Sequence, residues 1–441
     1  MCGAVRLTSI SPAIYPLINV GRVVLKPRQA AAATDSRQPR TFARKLLHVT
    51  DSKRRLDWLQ VLRGVAALGV VMSHCAVYLV VDANTRWLTG ALDHLGSGVD
   101  LFFIISGFIM VHTTMNDTGG LRSAVRFVAK RMQRIWPAYI VLTLVFGFAE
   151  YGWRLIGDDA TRLMLVKSLL FVPGSYDTIF ANQVIGPGWT LGFEMYFYAV
   201  FAVSLLFVRW RWLFLAIWCV VMLLVVPLAY GASLTGVFES WETAYPVGYL
   251  KLATNPFVWE FVFGGLAAVV HHSRLRIGSV WTCWALASVA VMFAVWNTLA
   301  PILPGTFGLA AGYVLLIVAL SVASKSIALP ALRPLRYCGD ISYTLYLAHT
   351  AVIHGLHWVY HAAGLNAFSA TWFNVAISLA GSIAFAALTS RFLERDMLKV
   401  LVSVCRTAWA EPAQRCETGA DAIVPQGVAT PALGYRPAAP R

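Results

Sequence analysis

Ten apolar stretches, most of them long enough to cross a bilayer, dominate this chain and leave it few folds to choose from. They run over residues 58–81, 97–114, 135–151, 188–208, 212–231, 255–271, 279–297, 306–324, 340–361 and 371–389. A hydrocarbon layer of about 30 Å takes roughly 20 helical residues to cross. No water reaches the backbone there, so each crossing segment must satisfy its own N–H and C=O groups, as a helix does. The fold expected is all-α, a polytopic transmembrane helical bundle of ten spans. Charged residues make up 13% of the chain, about half the share of a soluble domain. One stretch breaks the pattern. Leu163–Val172 is apolar but short, and Pro173 and Gly174 end it, so 163–185 reads as an interfacial or re-entrant helix.

The net charge of +15 invites a nucleic-acid reading, but its distribution excludes one. The basic residues sit in short segments between apolar runs, the pattern of cytoplasmic loops beside membrane lipid. Arg37, Arg40, Arg44, Lys45, Lys53, Arg54 and Arg55 cluster just before the first span, which places the N-terminus inside. The inner loops then collect Arg122, Arg126, Lys130, Arg131, Arg134, Arg209, Arg211, Arg274, Arg276, Lys325, Arg333, Arg336, Arg391, Arg395, Lys399 and Arg406. The outer loops hold only Arg86, Arg154, Arg162, Lys167 and Lys251. An eleventh span at 163–185 would invert every later loop and spoil this asymmetry, so both termini are expected in the cytoplasm.

Three regions follow. Residues 1–55 read as a basic, flexible cytoplasmic extension. Its apolar patch near Ile14–Val24 is broken by Pro16 and Arg22 and makes a poor signal peptide. Residues 56–395 form the membrane domain. Residues 396–441, rich in Ala, Pro and Gly, read as a largely disordered cytoplasmic tail. No internal repeat is visible, which weighs against an inverted-repeat transporter. The seven cysteines form no CxxC pair, so neither a disulfide framework nor a metal site is expected.

Ionisable groups inside spans are costly and mark function. Arg63 and His74 lie eleven residues apart on the first span, about 20° off one face and roughly 16 Å apart along the axis. That stripe offers a fixed cation and an imidazole able to accept a hydroxyl proton. Taken singly, each is as readily a snorkelling arginine or a histidine bonded to a neighbouring helix. In the second span, Ser106-Gly107 offers a small polar surface for close helix approach or for a site, and Asp100 either caps the helix or pairs with a cation. Arg131 and Arg134, three apart, share a helix face where guanidinium forks suit phosphates, though charge alone fits an ordinary inner loop. In the fourth span Glu194 needs a proton or a cation; it either orients a histidine or packs with Arg63. Trp189, Tyr196 and Tyr198 form an interfacial aromatic belt or a sugar-stacking surface. In the ninth, Asp340 is a candidate N-cap, while Tyr343, Tyr346 and His349 recur every three residues along one side. His271, His272, His354 and His357 lie near span ends, and Glu260 has no assigned partner.

Together these segments resemble the membrane acyltransferase-3 family, especially its exopolysaccharide-production O-acetyltransferase branch. The resemblance rests on Arg63 and His74 with ten residues between, on Phe102-Phe103-Ile104-Ile105-Ser106-Gly107-Phe108, on Arg131-x-x-Arg134, on Trp189-Thr190-Leu191 with Glu194 and Phe197-Tyr198, and on Ile341 through His349. It covers about residues 56–395 and none of the flanking segments. It implies a bacterial inner-membrane enzyme that moves an acyl group, acetyl by default, from cytoplasmic acyl-CoA to a hydroxyl of an exopolysaccharide or lipid-linked glycan precursor. No metal is implied. His74 would be the catalytic histidine, Arg63 its companion, and Arg131 and Arg134 the donor side. Glu194 is expected to set the histidine's tautomer, and Ser106, Trp189, Tyr196, Tyr343 and His349 to line the pocket. Many relatives carry a fused extracytoplasmic esterase-like domain; none is expected here, and other polysaccharide-assembly proteins are expected as partners. The rival reading is a precursor transporter or flippase without acyl transfer.

Overall fold

A computed structural model describes residues 56–396 apart from 80–85, 173–182, 238–241, 244, 247 and 301. The N-terminal extension and the C-terminal tail lie outside the described residues. The described chain is helical and without strands. The principal helices are α1 (Asp57–Ala76), α2 (Arg86–Asp93), α3 (Gly98–Thr114), α4 (Leu121–Tyr151), α5 (Asp159–Leu169) and α6 (Trp189–Leu206). The long helical stretch Val208–Tyr230 is α7. There follow α8 (Phe257–His272), α9 (Val280–Leu299), α10 (Thr306–Ala323), α11 (Arg333–Asp340), α12 (Ser342–Ala362) and α13 (Trp372–Ser390).

Each of the ten expected spans contains a long helix, most with ends close to those read from the sequence. Among the described residues nine stretches are both long and apolar enough to cross a membrane. The tenth, α12, has the length at 21 residues, but His349, His354, His357 and His361 lower its apolarity. The chain is a multi-pass all-α membrane protein. Residues 159–169 form an 11-residue helix, about 17 Å long and too short to cross.

One boundary differs. The third helix starts at Leu121 rather than near residue 135 and runs for 31 residues, about 46 Å. Hydropathy marks only the lipid-facing part. The basic stretch before it continues the same helix, so Arg131 and Arg134 ride on a rigid element. Gly119 and Gly120, at φ +78° and +88°, make the sharp turn from α3 that an L side chain rarely tolerates. Arg211 braces this corner by donating to the carbonyls of Thr114 (3.2 Å), Met115 (2.8 Å) and Asp117 (3.1 Å), the orphan acceptors at a helix C-terminus. Asp117 is held below the ordinary carboxylate range by the Ser123 side chain first, then by the Gly119 amide.

Two expectations about acidic caps fail. Asp340 ends α11, and Ile341 occupies the N-cap of α12. Asp100 neither caps α3, whose N-cap is Ser97, nor meets a cation. It is buried beside Glu260 of α8, which accepts a hydrogen bond from Thr306 at 2.8 Å. That pairing joins distant stretches of sequence and leaves no local signature.

The core is set by close helix contacts through glycine. A Cβ on Gly107 would overlap the Phe261 carbonyl oxygen, and one on Gly264 the Ile104 carbonyl oxygen, so α3 and α8 touch backbone to backbone. Gly64 of α1 and Gly339 of α11 make a second such contact, against Leu335 and Gln60, beside the Arg336–Asp57 ion pair at 3.0 Å. These approaches hold α1 and α3 at the centre of the bundle. Gly107→Ala and Gly264→Ala are expected to destabilise the protein by about 1–3 kcal/mol each, since rigid backbone cannot yield. Gly355→Ala, in open space on α12, should be neutral or stabilising by up to about 1 kcal/mol. Thermal unfolding of the three variants in detergent checks the contrast.

Candidate active site

Two cavities enter the bundle from opposite ends. The first has room of about 90 Å³ and is lined by Arg63, Ser106, Arg131, Arg134, Glu194 and Tyr343, among others. The second, about 580 Å³, is lined by His74, Glu150, Gln183, Trp189, Thr350 and His354, among others. On α4 the first set ends at Ile135 and the second begins at Phe146. Arg134 and Glu150 are sixteen residues apart, about 24 Å along the axis. Arg63 and His74 on α1, and Tyr343 and His354 on α12, run the same way. The first cavity therefore opens toward the basic ends of the helices and the second toward the far ends.

Around the first cavity the polar groups form one chain of contacts. Ser106 donates to Glu194 Oε1 at 2.8 Å, and the Tyr198 hydroxyl donates to the same oxygen. The Tyr198 ring lies under the Arg131 guanidinium at 5.3 Å, with Phe127 on the same cation at 5.4 Å. Such stacking fixes an arginine without using its donors, so the fork stays available to an anion. Arg63 donates to Gln60 at 3.1 Å. Tyr343 donates to the Ile135 carbonyl at 2.8 Å, tying α12 to the turn of α4 that carries Arg134.

Around the second cavity His74 is exposed to the open space. Its Nδ1 lies 2.9 Å from the Val70 carbonyl. A carbonyl only accepts, so Nδ1 carries the hydrogen, and in the neutral ring Nε2 is the acceptor. The ring of His349 stands edge-on to it at 4.8 Å. His349 is fully buried, and its own Nδ1 donates to the Tyr346 carbonyl at 2.7 Å.

The structure thus brings Arg63, Arg131, Arg134, Ser106, Glu194 and Tyr343 to one cavity, and His74 and Trp189 to the other. The stripe on α1 does face open interior space at both places, but two cavities share it. Three expectations are corrected. Glu194 does not orient His74; the Val70 carbonyl holds that ring, and Glu194 serves Ser106 and Tyr198 instead. Tyr196 lines neither cavity and packs on Trp218 and Tyr249 at 5.6 and 5.8 Å. The sequence placed it on the aromatic face, but two helical steps, about 200°, turn it away from Glu194 and toward other helices. His349 lines neither cavity and backs His74. Sequence reasoning gave no site role to Thr190, Glu150, Gln183, Thr350 and His354, because neutral or span-end residues carry no cost signal. Gly107 and Ser106 divide the work that the sequence left open, packing for the first and a polar contact for the second.

Residues 56–391 match the model of an acyltransferase domain family, acyltransferase-3. The chain is 30% identical over 307 residues to "Exopolysaccharide production protein ExoZ" of Rhizobium meliloti (strain 1021), covering 68% of this chain and 90% of that one. It is 25% identical over 304 residues to "Putative membrane-bound transacylase BcsY" of Komagataeibacter xylinus, covering 62% and 69%. It is 29% identical over 164 residues to "Putative O-acetyltransferase SACOL0978" of Staphylococcus aureus (strain COL), covering 34% of this chain and a quarter of that protein (25%). No solved structure matches it.

Removing the shared acceptor should loosen the first cavity. Glu194→Ala leaves the buried Tyr198 hydroxyl without its carboxylate partner and should cost about 1–3 kcal/mol. Glu194→Gln keeps an oxygen there and should cost less. Chemical or thermal unfolding of the two variants measures the difference.

Proposed function

We propose, from the premise that this chain belongs to the acyltransferase-3 family, that it transfers an acetyl group from cytoplasmic acetyl-CoA to a hydroxyl of an exopolysaccharide or of its lipid-linked precursor. The chain is a membrane O-acyltransferase by family; the donor, the acceptor and the placement in a bacterial inner membrane are the parts inferred. The observation that carries the reading is the pairing of a guanidinium-lined cavity at the basic end with an imidazole-lined cavity at the other.

Coenzyme A carries phosphates, and Arg131 and Arg134 meet them where α4 leaves the hydrocarbon. The first cavity is far smaller than a ligand pocket of several hundred Å³, so it admits only the acyl end while the nucleotide stays outside. Glu194 acts through Tyr198, whose ring supports Arg131; it is a positioning residue. Trp189, Gln183 and Glu150 around the second cavity combine an aromatic face with amide and carboxylate oxygens, the chemistry that holds a sugar ring. His74 Nε2 takes the proton of the sugar hydroxyl as that oxygen attacks the thioester carbonyl. The new C–O bond forms, the C–S bond breaks, and the proton passes to the departing thiolate. Arg63 lines the donor's cavity, about 16 Å along α1 from His74, and helps hold the donor there by its positive charge. An acyl-histidine intermediate is the variant of this scheme. The names of the relatives, an exopolysaccharide production protein and a transacylase, favour acyl transfer over a flippase.

Polysaccharide from cells lacking the gene should lose acetyl groups that the intact gene restores, as read by mass spectrometry. His74→Ala should lower transfer by about 10²–10⁴-fold, the usual share of a general base. A His74→Ala protein that acetylates normally would remove both mechanisms. Arg131→Ala and Arg134→Ala should raise the KM for acetyl-CoA more than they lower kcat, with Arg131→Lys only partly restoring it because an ammonium does not reproduce the planar fork. Steady-state kinetics in membranes, with acetyl-CoA varied, separates the two effects.

A further inference from the structure

The two cavities share Tyr346 of α12 and Val99 of α3 in their walls. A residue that lines both sides is a partition one side chain thick. Tyr346 is 9% exposed and is held from several sides. Its hydroxyl pairs with the Thr190 side chain of α6, which itself donates to the Pro187 carbonyl at 2.9 Å. Its ring stands edge-on to Phe102 of α3 at 5.6 Å. Its carbonyl accepts from His349, whose ring backs His74. The partition is therefore anchored to two neighbouring helices, α3 and α6, and, through its own backbone, to the neighbour of the imidazole.

We infer that Tyr346, with Val99, is a septum that keeps the acyl donor of the first cavity from water in the second until an acceptor is seated. This rests on the donor and acceptor assignment proposed above. Arg63 and His74 are about 16 Å apart along α1, and Tyr346 and Val99 line both cavities between them. Water is the competing nucleophile. If it reached the thioester it would add to the carbonyl, the C–S bond would break, and acetate and free thiol would be released without transfer. A seated sugar next to His74 displaces that water and meets the acyl group as the ring turns aside. Tyr346 is on this account a positioning residue that sets the ratio of transfer to hydrolysis.

The test uses the full-length protein in membranes, acetyl-CoA as donor, and exopolysaccharide isolated from cells lacking the gene as acceptor. Free thiol release without acceptor reports hydrolysis, and labelled acetyl on the polysaccharide reports transfer. Tyr346→Ala should raise acceptor-free hydrolysis at least fivefold while transfer falls at least tenfold. Val99→Ala, a small change that should fold even if Tyr346→Ala does not, should raise hydrolysis two- to threefold. Tyr346→Phe keeps the ring and should bring hydrolysis back toward the wild-type level, with transfer reduced by loss of the Thr190 contact. Unchanged hydrolysis in Val99→Ala and in a folded Tyr346→Ala overturns the septum and leaves acyl transfer standing. A wild-type protein that consumes no acetyl-CoA overturns both.

Discussion

A polar side chain survives inside a membrane bundle only against another polar group or against water, and everything distinctive in this protein follows from that constraint. The lipid-facing helices obey it by having little to satisfy. The stretch Val208–Tyr230 is almost bare of buried residues and exposes Trp212, Leu213, Ile217 and Leu228. The central helices obey it by meeting one another. Ser106, Glu194, Tyr198 and Arg131 come from three helices and close into one set of contacts. Asp100, Glu260 and Thr306 close a second. Other ionisable groups lie on a cavity, as His74, Arg134 and Glu150 do.

Close backbone contact makes those arrangements stiff. Gly107 and Gly264 let α3 meet α8, and Gly64 and Gly339 let α1 meet α11. The helix that carries Ser106, Phe102 and Val99 is thus clamped on one face while its other face lines the cavities. A septum one residue thick needs such a frame, since a shift of an ångström in α3 would open it. Packing and site are parts of one construction, which is why a glycine with no chemistry of its own stands next to Ser106 in the same helix.

The spans and their order were legible because lipid imposes a length and an apolarity that sequence records directly. The face shared by Arg63 and His74 was legible because helical periodicity is fixed. What the periodicity does not encode is the division between cavities, which is made by a residue of another helix, Tyr346. The partner of Asp100 and the bond from Ser106 to Glu194 were hidden for the same reason, as contacts between segments far apart in the chain. The true start of α4 was hidden because a helix that leaves the membrane loses its apolar signal while keeping its hydrogen bonds. Tyr196 was misplaced because an aromatic residue beside a carboxylate looks like a site until the helix is turned.

Placing the guanidinium and the imidazole on separate cavities also resolves a difficulty of a single shared pocket. A donor bearing several phosphates and a neutral sugar chain need opposite surroundings. The first wants cations at a water-exposed rim, the second an aromatic floor with neutral and anionic oxygens. One small pocket at the centre of a bundle would have to desolvate both at once, which is costly for the phosphates. On the proposed assignment Arg131 and Arg134 hold the charged end at the rim, and only the uncharged acyl tip enters about 90 Å³ of space. The larger cavity, about 580 Å³, carries Glu150 rather than arginine, a lining that on the same assignment disfavours the donor's phosphates. Selectivity between the two substrates is thereby built into the ends of α4, whose basic start and acidic finish are parts of one helix.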